Sequence, residues 1–470
     1  MKIEDFEKQK NNPFIDILLK TLLFFGFDRA VSYGVLARVW GVVAGPVTMI
    51  IIASRFSLDQ QGFYYTFSSL LALQIFFELG LLYVIAQFAS HEFVHLRWGL
   101  HGRIEGDPIA KERFTELLCN SAKWFGIASL FMILILIPAG LYFFRYGQNG
   151  QPDFVWRIPW ILAVVGTGLN LLVTPFFAVI MGSGEVATVN HRELIGGIAG
   201  SIISWVVMGA HGGLFAVFAV TFGNIIISWS YLIRQKPELL KFVWTKLLNN
   251  TRLPREKAIL SWWDEVWPMQ WRMAISSGAS YFIFQLFTPV LFHYHGAAVA
   301  GQMGMTLAAG NALLWSSMTM IVTKSPLFGK LIATRDWENL DRQFYRVSYQ
   351  SITFVVVGAS IGLSIIWFLQ KNYQVGERFI PVSHAALLLG AVCVHVIIGG
   401  FVIYLRAHKR EPLLGITVAT SVIQGATVWL LGKWYSTFGV SLAYFTVTSF
   451  VILPAVFIVW KRCKKIWHTD

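Results

Sequence analysis

Four ionisable side chains lie inside long apolar stretches of the sequence, where a charge is costly. Arg38, Lys123 and Arg272 are basic, and Glu78, in QIFFELGLL, is the only carboxylate well inside such a stretch. A charge at the middle of a bilayer costs at least about 2.5–3.5 kcal/mol, so each needs a partner, water or a function. Guanidinium groups bind phosphate oxygens through paired hydrogen bonds and keep their proton. Two facing arginines, Arg38 and Arg272, would therefore bind a pyrophosphate; alternatively, the basic side chains extend to lipid phosphates.

Other polar groups in these stretches have both a functional and a structural interpretation. Glu78 carries a coupling proton or pairs with a cation in a cavity, or it forms a plain structural ion pair. His395, in AVCVHVIIGG, is a protonation switch or a neutral packing histidine. Amide side chains in the apolar stretches either bind sugar hydroxyl groups or form hydrogen bonds between helices. These amides are Gln74, Asn170, Asn224, Gln285, Asn311 and Gln424. The residues predicted to bind substrate are Arg38, Arg272, Lys123, Glu78, Asn170, Gln285 and Asn311.

Membrane-spanning helices must position these side chains. The chain has 470 residues, of which 56% are hydrophobic and 13% charged, and its mean hydropathy is +0.59. Apolar stretches of about 18 or more residues, long enough to cross a bilayer as a helix, recur along the whole chain. The fold class is therefore an all-α polytopic membrane protein. Twelve spans are predicted, at residues 33–53, 62–88, 120–144, 156–181, 193–210, 213–233, 268–292, 298–323, 347–369, 381–405, 412–432 and 438–460.

Lysine and arginine are distributed unevenly between the two sides that these spans define. Of the 38 such residues, 29 fall in alternate connections and in the two terminal segments, and six fall on the other side. By the positive-inside rule the basic side is cytoplasmic, which places both termini in the cytoplasm. The net charge of +13 thus reflects topology, and nucleic acid is not an expected partner.

The two halves of the chain share landmarks at nearly constant offsets. Gly62 and Gly301 each follow the start of a span, Arg38 and Arg272 each lie near the cytoplasmic start of one, and HGGLFAVFAV corresponds to FGVSLAYFTV. With six spans in each half, the copies run parallel and are related by a pseudo-twofold axis along the membrane normal. The predicted domains are a first six-helix bundle at 1–233 with an interfacial helix at 13–27, a basic linker at 234–267 and a second bundle at 268–470.

Motifs for other chemistries are missing from the sequence. No phosphate-binding GxxxxGK[ST] stretch, HExxH or GxSxG is present, so neither an ATPase nor another enzyme is expected. His91, His95 and His101 have no acidic or cysteine partner at metal-ligand spacing, so no metal site is predicted. No cofactor is expected either.

Three segments resemble the oligosaccharide-lipid flippases, the polysaccharide-exporting branch of the MOP superfamily that includes the O-antigen flippases. QQGFYYTFSSLLALQIFFELGLLYVIAQFAS is similar to the second helix of that family, whose acid-Leu-Gly feature near the inner end corresponds to Glu78 and Gly80. MGSGEVATVNHRELIGGIAGSIISWVV followed by GGLFAVFAV looks like the region of the fourth to sixth helices. YLRAHKREPLLGITVATSVIQGATVWLL followed by FGVSLAYFTV repeats that pattern in the second half.

The resemblance implies a V-shaped pair of six-helix bundles around a central cationic cavity. Family members move an undecaprenyl-pyrophosphate-linked oligosaccharide from the cytoplasmic to the periplasmic leaflet of the bacterial inner membrane. The expected partners are this lipid-linked oligosaccharide, membrane lipids, and the polymerase and glycosyltransferases of the same pathway. Two alternatives stay open: a cation-coupled multidrug exporter of the same superfamily, whose cavity should be acidic, and a non-transporting scaffold for envelope assembly.

Overall fold

The computed structural model describes residues 29–99, 102–146, 154–249, 262–408, 410 and 412–468, and most of them are helical. Helices are the expected form, because an apolar segment in lipid must satisfy its own backbone hydrogen bonds. The interfacial helix predicted at 13–27 lies outside the described residues. The elements of the first half are α1 (Arg29–Arg55), α2 (Leu58–Leu71), a 3₁₀ turn (Ala72–Gln74), α3 (Ile75–Glu78), α4 (Leu81–Glu92), a 3₁₀ turn (Phe93–His95), β1 (Leu96–Trp98), β2 (Ile104–Gly106), α5 (Pro108–Tyr146), α6 (Arg157–Gly182), α7 (Val186–Gly209), α8 (Phe215–Gln235) and α9 (Pro237–Asn249).

The second half repeats this arrangement without strands among its described residues. Its elements are a π-helical turn (Trp262–Val266), α10 (Trp267–Phe284), α11 (Phe287–His295), α12 (Ala297–Val322), α13 (Ser325–Ala333), α14 (Trp337–Asn372), a 3₁₀ turn (Gln374–Arg378), α15 (Val382–Ala407), α16 (Leu414–Val447), a π-helical turn (Thr448–Ile452) and α17 (Leu453–Trp467). We call α1 to α8 the first bundle and α10 to α17 the second bundle.

Twelve membrane crossings follow from these helices. Within the described ranges, nine helical segments are long and apolar enough to span a membrane, and two bent helix pairs add one crossing each. One of the nine, Leu414–Trp467, is 54 residues long and reverses direction at Ser436, where φ is 53° and ψ is −138°. A Cβ atom at Gly439 would overlap the carbonyl oxygen of Leu431, which a straight helix would place about 12 Å away. This segment therefore crosses twice, and the prediction of twelve spans is confirmed.

Two crossings are broken near their middle, for different reasons. In the second crossing α3 ends at Glu78, the next two residues both have positive φ, and the axis turns by 45° after Gly80. In the seventh crossing α10 and α11 meet at 46°. Pro289 lies four residues after Gln285, and a proline removes the hydrogen bond to that carbonyl and displaces the backbone. Pro46, by contrast, lies inside the continuous helix α1.

Several helices extend beyond the predicted apolar spans. α5 begins at Pro108, whereas the sequence predicted a span from 120, and α14 begins at Trp337 rather than at 347. Apolarity marks only the part of a helix that lies in lipid, whereas the backbone hydrogen bonds continue into polar sequence. Buried aromatic side chains, Phe114 in α5 and Phe344 in α14, hold these extensions against the bundles.

The loops that join helices on one side of the molecule are ordered by specific polar contacts. We call the side on which α1 begins the basic side and the other the opposite side. On the basic side, Lys236 donates to Glu185 at 2.6 Å, and its ammonium lies 3.6 Å from the ring centre of Trp98. Burial lowers the pKa of Lys236, against the effect of Glu185. The indole of Trp98 donates to Ser183 at 2.9 Å, so the β1–β2 hairpin is tied to the end of α6.

The two bundles meet at a pseudo-twofold axis between α2 and α12. Gly62 and Gly301 are the glycines that the sequence repeat relates, 239 positions apart. A Cβ atom at Gly301 would lie 2.7 Å from the backbone nitrogen of Gly62, so the two glycines are in contact. Equivalent residues of two copies contact each other when they lie on the axis that relates the copies. The predicted pseudo-twofold arrangement of two six-helix bundles therefore describes this structure.

Candidate functional site

On the opposite side, Arg378 joins the two bundles. Its guanidinium donates to the carbonyl oxygen of Phe56 at 2.5 Å and to the side-chain oxygen of Gln61 at 3.1 Å. The amide of Gln61 donates in turn to the carbonyl oxygens of Arg378 and Gly301, at 3.0 and 2.8 Å. Burial lowers the pKa of Arg378, and a guanidinium nevertheless stays protonated. These hydrogen bonds, in which Arg378 and Gln61 each donate to the other, hold the two bundles together on the opposite side.

The contact between the bundles continues toward the middle of the membrane. A Cβ atom at Gly304 would meet the side chain of Tyr65, so α2 and α12 approach each other closely there too. The hydroxyls of Ser69 and Thr288 are hydrogen-bonded across the interface at 2.7 Å, and both residues are buried. Water is therefore excluded between α2 and the second bundle at this depth.

On the basic side, α10 lies against the broken second crossing. A Cβ atom at Gly80 would lie 2.8 Å from the Cβ of Met273, and the rings of Phe76 and Tyr281 are 5.6 Å apart. Arg113 in α5 bridges the bundles, since its guanidinium lies 2.8 Å from a carboxylate oxygen of Glu92 and 2.8 Å from one of Glu265. The basic-side half of the second crossing is thus covered by α10.

Arg38 lies on the face of α1 that meets the second bundle at the opposite side. Residues 38, 45, 49, 52 and 56 share one helix face, because their spacing follows the 3.6-residue period. Ile52 is 0% and Phe56 4% exposed on this face, while Arg38 is exposed. A Cβ atom at Gly45 would meet nothing within 4 Å. Arg38 therefore lies on the same helix face as residues that meet the second bundle, but nearer the basic side.

Arg272 and Lys123 are exposed as well, but on other surfaces. Arg272 precedes Tyr281 by nine residues, which places the two on opposite faces of α10. Tyr281 packs on the first bundle, so Arg272 lies on the face turned away from it. Its guanidinium lies 5.5 Å from the ring centre of Trp271. Among the described residues, no carboxylate lies within 4 Å of Arg38, Arg272 or Lys123. Only Arg38 of the three lies on a face shown here to meet the other bundle, and the facing pair of arginines stays a prediction.

Glu78 and His395 occupy different settings. Glu78 is half-buried at the break of the second crossing, and no described cation forms an ion pair with it. His395 lies inside the second bundle, with its Nδ1 3.3 Å from the hydroxyl of Tyr444 and its ring 5.1 Å from that of Phe284. His395 thus contacts aromatic side chains, and the coupling roles of His395 and Glu78 stay predictions.

Three of the predicted amides lie on three different elements. Asn170, in α6, lines a cavity of about 360 Å³ in the first bundle, between α2, α6 and α8. Gln285 is half-buried at the break between α10 and α11. Asn311 is half-buried in α12, in the second bundle. The cavity brings Asn170 together with Gln74 and Asn224, two of the other amides named from the sequence.

Several solved structures have a similar fold. The lipid II flippase MurJ, in an inward closed conformation, gives a TM-score of 0.62 at 13% sequence identity, over 91% of this chain and 87% of that one. A MATE transporter of Vibrio cholerae gives 0.56 at 13% identity, over 98% and 100%. An inward-facing multidrug resistance MATE transporter of the MOP superfamily gives 0.55 at 12% identity, over 91% and 99%. No protein-family model and no curated protein sequence matches the chain.

This chain has the fold of these structures, which we call the MOP fold.

Within the MOP fold, the residues that join the two bundles were not identified from the sequence. Gln61 lies at the start of the second predicted span, where nothing in the sequence distinguishes it. Arg113 and Arg378 lie in predicted connections and contribute there only to the distribution of basic residues. The burial of Gln61, at 0% exposed, is a property of the packed bundles that no local pattern encodes.

Arg192 was also assigned to a connection, at 182–192, and the structure corrects this. It lies inside α7 of the MOP fold, where its Nε donates to Ser228 at 2.8 Å and its guanidinium lies 4.5 Å from the ring centre of Phe177. The sequence misplaced it because polar residues occupy the first turns of α7 and delay the apolar signal to residue 193.

Proposed function

We propose that this protein is a flippase that moves an undecaprenyl-pyrophosphate-linked oligosaccharide across the bacterial inner membrane for surface polysaccharide biosynthesis. The observation that carries the proposal is Arg38, an exposed guanidinium without an ion-pair partner among the described residues, on the face of α1 that meets the second bundle. A guanidinium in such a place is matched to a phosphate oxygen. The likeness to a structure named as a lipid II flippase supports a lipid-linked substrate.

The lipid tail stays in the bilayer during this movement while the polar head enters a cleft between the bundles. The positive-inside rule assigns the basic side to the cytoplasm, so the cleft receives its substrate from the cytoplasmic leaflet. Release on the other side requires the contacts of Arg378 with Phe56 and Gln61 to break. Rocking of the two bundles about the pseudo-twofold axis separates them on the opposite side while the bridge between Arg113 and Glu265 holds the basic side together, and entry of the substrate requires that bridge to open.

A cation-coupled multidrug exporter is the alternative that the same fold accommodates. Such a protein needs carboxylates where a cationic drug binds. In the described part of the chain, Glu78 is the acid placed at a broken crossing, and the cavity of the first bundle is lined only by neutral side chains. This charge distribution favours an anionic headgroup over a cationic drug. The polymerase and glycosyltransferases of the same pathway are the partners we propose.

The test is transport by the purified protein in liposomes loaded with undecaprenyl-pyrophosphate-linked oligosaccharide, read out by cleavage of flipped saccharide with an external glycosidase. Loss of a hydrogen bond to a charged group costs about 1.5–3 kcal/mol, so Arg38→Ala should slow transport at limiting substrate by roughly tenfold to a hundredfold. Arg38→Lys should recover part of the rate, since lysine keeps the charge but not the paired geometry.

The matched control is Arg346→Ala, which removes an exposed arginine from the basic end of α14 and should leave transport unchanged. Full activity of a stably inserted Arg38→Ala protein would refute the role of this arginine. Efflux of cationic drugs by the wild-type protein, without flipping of the lipid-linked saccharide, would establish the exporter instead.

A further inference from the structure

The cavity of the first bundle has a polar lining whose hydrogen-bonding groups are mostly unused. Its volume is about 360 Å³, and its wall includes the side chains of Tyr64, Gln74, Asn170, Thr221 and Asn224. This volume is at the small end of the range of roughly 300–1,000 Å³ that is typical of ligand pockets. It therefore has room for one small ring.

Three of these side chains have no protein partner among the described residues. Neither the amide of Gln74 nor the hydroxyl of Thr221 has a hydrogen bond to another described group, and Oδ1 of Asn170 is buried without one. Asn224 donates to the carbonyl oxygen of Val220 at 3.2 Å, which leaves its own oxygen as an acceptor. In a membrane, where lipid offers no hydrogen bonds, such groups are costly unless water or a ligand satisfies them.

The chemistry of the lining selects for a neutral ligand that both donates and accepts hydrogen bonds. Amides offer two donors and an acceptor, and hydroxyls offer one donor and two acceptor lone pairs. No charged side chain lines the cavity, so neither a pyrophosphate nor an organic cation has a counter-charge there. Tyr64 adds an aromatic ring to the wall, against which the apolar face of a sugar ring can pack. A pyranose with several free hydroxyls matches this set of groups.

The cavity also borders the interface between the bundles. Tyr64 lies 5.9 Å, ring to ring, from Phe56 and 5.3 Å from Tyr65, and Tyr65 packs on Gly304 of the second bundle. Arg38 is nine residues from the basic-side end of α1, and Asn224 is eleven residues from that end of α8. At 1.5 Å per residue their depths differ by only about 3 Å. The two groups therefore lie at a similar depth in the membrane.

We propose that this cavity binds one neutral sugar residue of the headgroup, so that the first bundle selects the saccharide while Arg38 holds the pyrophosphate. The proposal rests on the flippase function proposed above, and it adds the class of the sugar. A sugar with a carboxylate, such as a uronic acid, is excluded because no cation lines the cavity.

The experiment compares binding of two lipids to the protein in nanodiscs. One is undecaprenyl pyrophosphate, and the other is the same lipid carrying a single sugar, taken from a panel of N-acetylglucosamine, galactose, glucose and glucuronic acid. For at least one neutral sugar, the wild-type protein should bind the sugar-bearing lipid about tenfold more tightly than the bare lipid. Glucuronic acid should give no such increase.

Two variants assign the increase to the cavity. Gln74→Leu and the nearly isosteric Thr221→Val should each remove most of the tenfold increase while leaving affinity for bare undecaprenyl pyrophosphate unchanged. That unchanged affinity also reports correct folding. The matched control Gln87→Leu, at an exposed position of α4, should keep the increase.

The outcomes separate the two proposals. If wild-type protein binds the bare lipid and no neutral sugar tightens binding, or if both cavity variants retain the increase, the cavity holds water only and this inference is wrong. If bare undecaprenyl pyrophosphate does not bind, or binds equally to Arg38→Ala, the phosphate-binding function itself fails.

Discussion

At Gly62 the absence of a side chain brings the two bundles into contact. A Cβ atom there would overlap the carbonyl oxygen of Ala297, a backbone atom that cannot move independently of α12. Gly41, in α1, has nothing within 4 Å of its corresponding Cβ position. The same substitution therefore has opposite consequences at two glycines of neighbouring helices.

We predict that Gly62→Ala destabilises the protein by about 1–3 kcal/mol, the usual cost of overpacking a close contact. The measurement is chemical unfolding in detergent micelles, followed by tryptophan fluorescence. Gly41→Ala is the control and should be neutral or slightly stabilising, because alanine favours a helix more than glycine does. Equal stability of the two variants would mean that α2 and α12 are not in contact at Gly62.

At the scale of elements, polar contacts hold the ends of helices in place on the basic side. Glu265 precedes α10 and is joined to α5 through Arg113. α17 ends in a cluster in which the rings of Trp337 and His468 stack at 4.3 Å, and the hydroxyl of Tyr404 lies 3.0 Å from His468 Nε2. Both sets of contacts lie on the basic side, where the transport proposed here requires the bundles to move.

We predict that Glu265→Gln loosens the contact between the bundles on the basic side. The pair is partly exposed, so the effect on overall stability should be small, at or below about 1 kcal/mol. Spin labels are attached at the exposed positions Val94 and Trp263, one in each bundle. Double electron–electron resonance should then give a longer mean distance between the two labels in the variant than in the wild type. Glu238→Gln, which breaks only the pair of Glu238 with Lys241 within α9, should leave the distance unchanged.

We predict that acidification weakens the attachment of α17. Burial lowers the pKa of both His408 and His468 below the ordinary value of 6.5. As the pH falls below 6.5, the unfolded chain takes up protons that the folded chain does not, so stability is lost. Thermal unfolding between pH 7.5 and 5.5 should therefore show a smaller decrease for a His408→Asn, His468→Gln double variant than for the wild type. The exposed His293→Gln variant should behave as the wild type does, and an unchanged decrease in the double variant would contradict the prediction.

At the scale of the whole molecule, the transport proposed here requires the bundles to separate on one side at a time. The contact of Ser69 with Thr288 lies between α2 and the second bundle, near the middle of the membrane. A MOP fold that works by rocking must open this contact to pass a headgroup outward.

We predict that a Ser69→Cys, Thr288→Cys double variant forms a disulfide and loses transport under oxidising conditions. Reduction should restore transport, because the bond prevents only the separation of the bundles. Each single-cysteine variant, which retains Cys119, Cys393 and Cys463, controls for the native thiols and should stay active in both conditions. Full transport by the cross-linked protein would exclude rocking at this interface.

We predict that the basic side faces the cytoplasm. A green fluorescent protein fused to the C-terminus should fluoresce, and alkaline phosphatase fused after Tyr373, in the connection between α14 and α15, should be active. The reverse pattern would place the opposite side in the cytoplasm and would invert the direction of transport proposed here.

The sequence by itself determined the number of crossings, their approximate positions and the repeat, because these depend on the length of apolar stretches and on which residues recur. It could not determine which face each crossing presents. Arg38 and Arg272 are equivalent in the repeat, yet Arg38 shares a helix face with residues that meet the other bundle, whereas Arg272 lies half a turn from Tyr281, which packs on the first bundle. The cavity around Asn170 and the bridge made by Arg378 likewise depend on how helices rotate and pack against each other, and only the tertiary structure fixes that rotation.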